Sequence, residues 1–91
     1  MIPIEKCPSV VSERLGRDLG DEYMIYDADG DCLHVLNETA RELYLLCDGD
    51  RSVAAIVEEF AALHEIDLDT ARRDVADVLE RMLELRVISL N

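Results

Sequence analysis

Residues 33–49 read LHVLNETARELYLLCDG and carry, in order, the signals of a strand, a helix start, a helix and a helix stop. Residues 33–36 are an apolar run short enough for a strand, and the side-chain oxygen of Asn37 can cap a helix by accepting from an amide one turn later. Apolar side chains then recur at helical spacing, and Gly49 suits a helix stop because glycine readily adopts the left-handed conformation. The stretch therefore predicts a strand followed by a helix of about three turns.

The residues before this stretch predict sheet. Residues 10–15 form a candidate first strand that Gly16 closes, and residues 22–27, EYMIYD, have the aromatic and β-branched content of a second strand. Residues 1–9 show little periodicity and are predicted to be a loose N-terminal arm.

A hairpin turn is predicted between residues 22–27 and a third strand at residues 31–36. Asp29 and Gly30 are the residue types that a two-residue type I′ turn requires. The turn also sets the register, because it decides which residues of the two strands face each other. The predicted pairs are Tyr26 with Leu33, Ile25 with His34, and Met24 with Val35.

Two more helices are predicted after Gly49. Ser52 can cap a helix that runs to about residue 63, and either Asp67 or Asp69 can cap a longer helix that runs to about Leu85. The remaining apolar tail, residues 87–90, can form a short final strand.

These elements predict an α+β chain in which a three-stranded antiparallel β-sheet is followed by three α-helices. The length suits one domain, so residues 1–91 are expected to form a single domain with a core of modest size.

The last predicted helix is apolar around more of its circumference than a surface helix needs. Its apolar side chains fill an arc of roughly 180°, whereas an ordinary surface helix needs about 100°. The excess is a flank with these members: Arg72, Ala76, Leu79 and Leu83. This flank either lies deep in the core or forms a wall that another molecule covers, and the residues alone leave both open.

The charge balance disfavours a nucleic-acid partner. Nine basic residues against 21 acidic residues give a net charge of -12. Generic affinity for DNA or RNA comes from basic residues that displace counterions, so this surface repels phosphate. The charge is compatible with a basic peptide or with a basic face on a protein partner, and it also keeps a small protein soluble.

Neither a membrane span nor a secretory signal is predicted. No apolar run approaches the roughly 20 residues that a bilayer requires, and the N-terminal residues lack a basic start followed by a continuous apolar segment. A cytoplasmic protein without membrane contact is therefore expected.

Residues that could carry chemistry are scattered. Cys7, Cys32 and Cys47 lack the paired spacing of a metal site, and neither His34 nor His64 belongs to a nucleophile motif. The sequence therefore predicts no metal, no cofactor and no enzymatic activity.

A family resemblance rests on the order and spacing of several short motifs. Leu36-Asn37-x-Thr39-Ala40 is followed by Leu46 and by Asp48-Gly49, and later motifs are Val53-x-x-Ile56-Val57, Asp74-Val75-x-x-Val78-Leu79-x-x-Met82-Leu83 and Val87-Ile88. Over residues 23–88 this pattern resembles the PqqD-like proteins. These are small peptide-recognition partners of enzymes that modify ribosomally made peptides, including enzymes of the pyrroloquinoline quinone pathway.

The resemblance implies a winged-helix-like module that holds a precursor's leader peptide and presents it to a modifying enzyme such as a radical SAM protein. The leader is expected to add as a strand along the third strand, against the third helix. The implied peptide-binding residues are Cys32, Leu33, His34, Val35, Arg72, Ala76, Leu79 and Leu83.

Several alternatives stay open. The chain lacks the Tyr-Pro-Glu-Gly-Met-like segment of pyrroloquinoline quinone proteins proper, so a lasso-peptide protease fits as a partner as well as a radical SAM enzyme does. A monomer and a homodimer are equally compatible with the residues. The competing functions are a winged-helix transcription regulator or another protein-interaction domain, although a DNA reader would need basic side chains and residues 52–63 contain no lysine or arginine.

Overall fold

A computed structural model describes residues 2–11, 15–27 and 32–90. The elements in the described part of the chain are β1 (Pro8–Val10), β2 (Leu15–Asp18), β3 (Tyr23–Asp27), β4 (Cys32–Leu36), α1 (Glu38–Leu46), α2 (Val53–His64), α3 (Leu68–Glu84) and β5 (Ile88–Leu90). None of the helices in these ranges is long and apolar enough to cross a membrane.

The three-stranded sheet is antiparallel, with the order β2-β3-β4, and the three helices follow it in the chain. This confirms the α+β prediction, and the likeness to a winged helix is a loose one. The predicted register is also confirmed, because Tyr26 faces Leu33, Ile25 faces His34, and Met24 faces Val35. The predicted turn residues lie outside the described residues.

The prediction of one strand over residues 10–15 is wrong. Val10 ends β1, whereas Leu15 begins β2 and pairs with β3; residues 12–14 lie outside the described residues. Gly16 lies within β2 and does not close a strand. A Cβ atom there would come within 2.6 Å of the Tyr23 ring, so the missing side chain makes room for the tyrosine.

The N-terminal segment, predicted to be a loose arm, packs against the rest of the molecule. Its strand β1 pairs antiparallel with β5, which confirms the predicted final strand. Ile2 is buried in the core, with 7% of its surface exposed. The carbonyl oxygens of Lys6 and Ile4 accept from the amides of Val53 and Ala54 at 2.9 and 3.0 Å. The segment thereby satisfies two amides at the start of α2, which no carbonyl within that helix can reach.

The three helices begin at side-chain caps. Asn37 Oδ1 accepts from the amide of Ala40 at 2.9 Å, and Ser52 Oγ accepts from that of Ala55 at 3.1 Å. Of the two candidates for α3, Asp67 is the cap, since its Oδ1 accepts from the amide of Thr70 at 2.7 Å.

The core lies between the inner face of the three-stranded sheet and the three helices. Ile25 contributes from β3, Leu36 from β4, Leu43 from α1 and Ile56 from α2. The buried side chains of α3 are Ala71, Val75, Leu79 and Met82. Because these four positions share one face, α3 is held with a fixed orientation against α1, α2 and β5.

Candidate functional site

β4 is an edge strand of the three-stranded sheet. It pairs with β3 on one side, and no other described strand pairs with its far edge. Leu33 and Val35 expose 56% and 53% of their surface on the outer face, whereas His34 is half-buried and Leu36 is buried. Alternate backbone groups of an edge strand point outward, so such an edge can accept another strand.

A groove lies between the end of β4 and α3. It has a volume of about 270 Å³ and an apolar wall on each side. Val35 and Leu36 line it from the strand, and Val78, Met82 and Leu85 line it from the helix. We call this cavity the β4–α3 groove.

A second cavity, of about 390 Å³, continues along α3 beyond the start of α1. It shares Asn37, Asp77 and Val78 with the β4–α3 groove and adds Asp74 from α3. The two cavities therefore form one extended depression along one side of α3.

One side chain that lines the second cavity, His64, is hydrogen-bonded to α1. His64 Nε2 lies 2.7 Å from Glu42 Oε2, which joins the end of α2 to α1. The His64 ring also packs on Phe60, with 4.4 Å between the ring centroids. These contacts hold the end of α2 beside α1, so the walls of the second cavity are built from helices that are tied to one another.

The strand residues predicted as peptide contacts lie together at the sheet edge. Cys32, Leu33 and Val35 are exposed, and His34 is half-buried. The structure therefore places this half of the predicted site next to the β4–α3 groove, where a peptide backbone can approach it.

The predicted helix residues lie elsewhere. Leu79 is fully buried in the core, and Leu83 is half-buried and packed against the core. Arg72 and Ala76 line a different cavity of about 400 Å³, together with Ile2 of the N-terminal segment. The helical arc shows how much of α3 is apolar, but it does not show which end of the arc faces the sheet edge.

Sequence reasoning did not assign to the site the residues that line the groove from the helix side, which are Asp77, Val78, Arg81, Met82 and Leu85. Val78 and Leu85 lie at the other end of the same apolar arc, and Arg81 lies on the polar arc, about 40° beyond Leu85. Successive residues of a helix are about 100° apart, so Arg72 and Arg81 project on opposite sides of α3. The sequence holds one signal for a binding wall here, because a charged residue borders this end of the apolar arc. A charged residue in this place is equally typical of an ordinary solvated helix face.

The described residues hold no arrangement typical of metal binding or nucleophilic catalysis. They contain no group of three or more histidine, cysteine or acidic side chains that could hold a metal ion. Cys47 is buried, and burial raises the pKa of its thiol to about 12, so the thiol stays protonated near neutral pH.

Comparisons with known proteins agree with this description. The family model of coenzyme PQQ synthesis protein D (PqqD) matches residues 22–88. A solved structure of TbiB1 in complex with the TbiA(beta) leader peptide is similar, with a TM-score of 0.79 and 16% sequence identity over 89% of this chain and 94% of that chain. At this identity the likeness shows a shared fold. No curated protein matches the chain.

Proposed function

Because this chain belongs to the PqqD family, we infer that it binds the leader of a ribosomally synthesised precursor peptide and presents it to a modifying enzyme. It catalyses no reaction itself. The inference is supported by TbiB1, a protein of the same fold whose structure contains a leader peptide.

The observation that carries this proposal is the outer edge of β4, with which no other described strand pairs, beside an apolar groove. An extended peptide that adds to a sheet edge gains affinity from main-chain hydrogen bonds and specificity from pockets for alternate side chains. In our proposal the peptide backbone pairs along Cys32, Leu33, His34 and Val35. The β4–α3 groove supplies the pocket.

The helix wall of the proposed site consists of Asp77, Val78, Arg81, Met82 and Leu85. A cavity of about 150 Å³ holds benzene in another protein, so a groove of about 270 Å³ suits one large or two small apolar side chains of the peptide. Arg72, Ala76 and Leu83 are not part of this wall, because they lie on the other side of α3.

The proposed partner enzyme is a radical SAM protein, with a lasso-peptide protease as the alternative. Both belong to pathways in which a precursor peptide must be recognised through its leader. In this proposal the chain only holds the leader, and the partner enzyme supplies the catalytic groups.

A DNA-binding role fits the surface less well. The net charge is -12, and α2 contains no lysine or arginine. A helix that reads DNA needs basic side chains for phosphates and several polar side chains for base edges.

Selection of binders from a displayed library of short random peptides tests the proposal. A selected peptide is then titrated into ¹⁵N-labelled protein. We expect the largest changes in amide chemical shift at residues 32–36 and on the α3 wall, at Val78 and Leu85. Shift changes confined to the Arg72 side of α3, or a failure to select any binder, would contradict the proposal.

A further inference from the structure

The β4–α3 groove carries charges of both signs on its helix side. Asp77 and Arg81 both line the groove and are exposed. They are four residues apart with the acid first, a spacing at which such side chains commonly pair on a helix. In the structure they form no ion pair with each other or with any other described residue, in contrast to Arg72 and Asp69, which lie 3.9 Å apart.

A further acidic side chain, Asp74, lines the second cavity one turn earlier on α3. It also forms no ion pair within the described residues. The sign of the charge therefore changes along the depression, from acidic beside Asp74 and Asp77 to basic beside Arg81. Charges of this kind contribute more to specificity than to affinity, because a partner with the wrong sign is repelled.

Resting on the proposed function, we propose that the groove selects a leader segment with a basic and an acidic residue two positions apart, next to an apolar anchor. The basic side chain faces Asp77 and Asp74, and the acidic side chain faces Arg81. The apolar anchor enters the groove between Val35 and Leu85.

The spacing of the two charged residues follows from the geometry of helix and strand. Asp77 and Arg81 are separated by about 6 Å along the helix axis, at 1.5 Å per residue. Alternate residues of a strand point to the same face and are about 6.7 Å apart. Two side chains at positions i and i+2 of an added strand can therefore reach the two helix charges at once.

The order of the two residues follows from chain direction. Val35 and Leu36 share the β4–α3 groove with Leu85, whereas Thr39, further along the chain, shares the second cavity with Asp74. The chain leaving β4 therefore runs antiparallel to α3. A strand that continues the antiparallel pattern of the sheet then runs parallel to α3, so its basic residue comes before its acidic residue.

A charge swap tests the inference at constant net charge. Displayed random peptides are selected on the wild-type chain and on the double variant Asp77→Arg, Arg81→Asp. We expect base-x-acid peptides from the wild type and acid-x-base peptides from the variant. Each selected class should bind the other protein about tenfold more weakly, since two exposed ion pairs are replaced by repulsions.

The matched control is the swap Asp69→Arg, Arg72→Asp on the far side of α3. It also keeps the net charge, and we expect it to leave the selected pattern unchanged. A change of pattern in this control, with none in the groove variant, would overturn the inference.

The outcomes separate this inference from the proposed function. Binders that lack the charge pattern, but lose affinity when Val78→Asp or Val35→Asp alters the groove, would overturn the charge rule and leave leader binding in place. Two groove variants are used so that the result does not depend on the folding of either one. An absence of binders, or binders unaffected by both substitutions, would contradict the proposed function as well.

Discussion

Arg41 of α1 holds Asp18 of β2 through two hydrogen bonds, with Nε 2.7 Å from Oδ1 and Nη2 2.8 Å from Oδ2. This two-point contact fixes both distance and orientation. It ties the first strand of the three-stranded sheet to the helix that follows its last strand. The amide of Gly20 also donates to Asp18 Oδ1, at 2.9 Å.

The first prediction is an acid-dependent loss of stability through Asp18. The hydrogen bonds from Arg41 and then from Gly20 lower the pKa of this carboxyl from 3.8 to about 2. The folded state releases this proton more readily than the unfolded state. The ionised carboxyl therefore contributes its full share of folding stability above pH 3.8, and this contribution is lost as the pH falls through about 2. The stability difference between wild type and Asp18→Asn should therefore shrink between about pH 6 and about pH 2.5.

Urea denaturation at the two pH values measures this difference. The hydrogen bonds of Asp48 and Asp67 to backbone amides also lower the pKa of those carboxyls, so the total stability falls in acid for several reasons. The comparison with Asp18→Asn isolates one group. A stability difference that does not vary with pH would show that the contact between Arg41 and Asp18 does not persist in solution.

The second prediction concerns the N-terminal segment. Ile2 has 7% of its surface exposed and Ile4 has 48%. Ile2→Ala should lower the free energy of unfolding by about 2 kcal/mol, near the low end for a buried isoleucine because a chain end can relax. Ile4→Ala is the matched control and should cost about 0.5 kcal/mol.

Urea melts of both variants give the two values. Equally small losses would indicate that the segment is a loose arm in solution, as its sequence predicts. A large loss for Ile2→Ala alone would support the packed segment and its contact with the start of α2.

The third prediction is that the chain does not bind duplex DNA measurably at physiological salt. Its net charge of -12 repels the phosphate backbone, and α2 has no lysine or arginine to offset this. Titration of a fluorescently labelled duplex is the measurement. Micromolar binding with a steep salt dependence would favour a transcription regulator over a peptide adaptor.

Local signals account for the parts of the fold that the sequence predicts. The caps at Asn37 and Ser52 depend on a few adjacent residues, and so does the register that pairs Tyr26 with Leu33. The pairing of β1 with β5 joins segments from opposite ends of the chain, and no local pattern marks such a contact. In the sequence, Gly16 has the character of a strand end. Its true role depends on the Tyr23 ring, which belongs to another strand and is not marked by any local pattern.

The candidate site shows the same division. The hairpin that contains β4 could be predicted because its turn and register are local features, and the resemblance to the PqqD-like proteins implied that a leader adds along this strand. The helix wall could not be predicted. A helical wheel of α3 shows the two edges of its apolar arc, but it does not show which other element of the fold lies beside each edge. In the structure, the edge with Arg72 lies beside the N-terminal segment and the edge with Val78 lines the β4–α3 groove. Both placements depend on tertiary contacts.

The last prediction separates the two sides of α3 by a pair of substitutions to aspartate. Val78 and Leu83 are both half-buried and packed against the core, but only Val78 lines the β4–α3 groove and the second cavity. The two positions lie about 140° apart around the helix, at about 100° per residue. A charge at Val78 must lose water when a peptide covers it, so Val78→Asp should weaken binding of a selected peptide by about tenfold to a hundredfold.

Both substitutions should lower the melting temperature, because both side chains pack against the core, but Leu83→Asp should leave the affinity nearly unchanged for the fraction that stays folded. Calorimetric titration and thermal melts of both variants provide the comparison. If Leu83→Asp keeps its melting temperature and loses binding, the peptide lies on the side of Arg72 and Ala76. If Val78→Asp binds normally while folded, the groove beside β4 is not the peptide site.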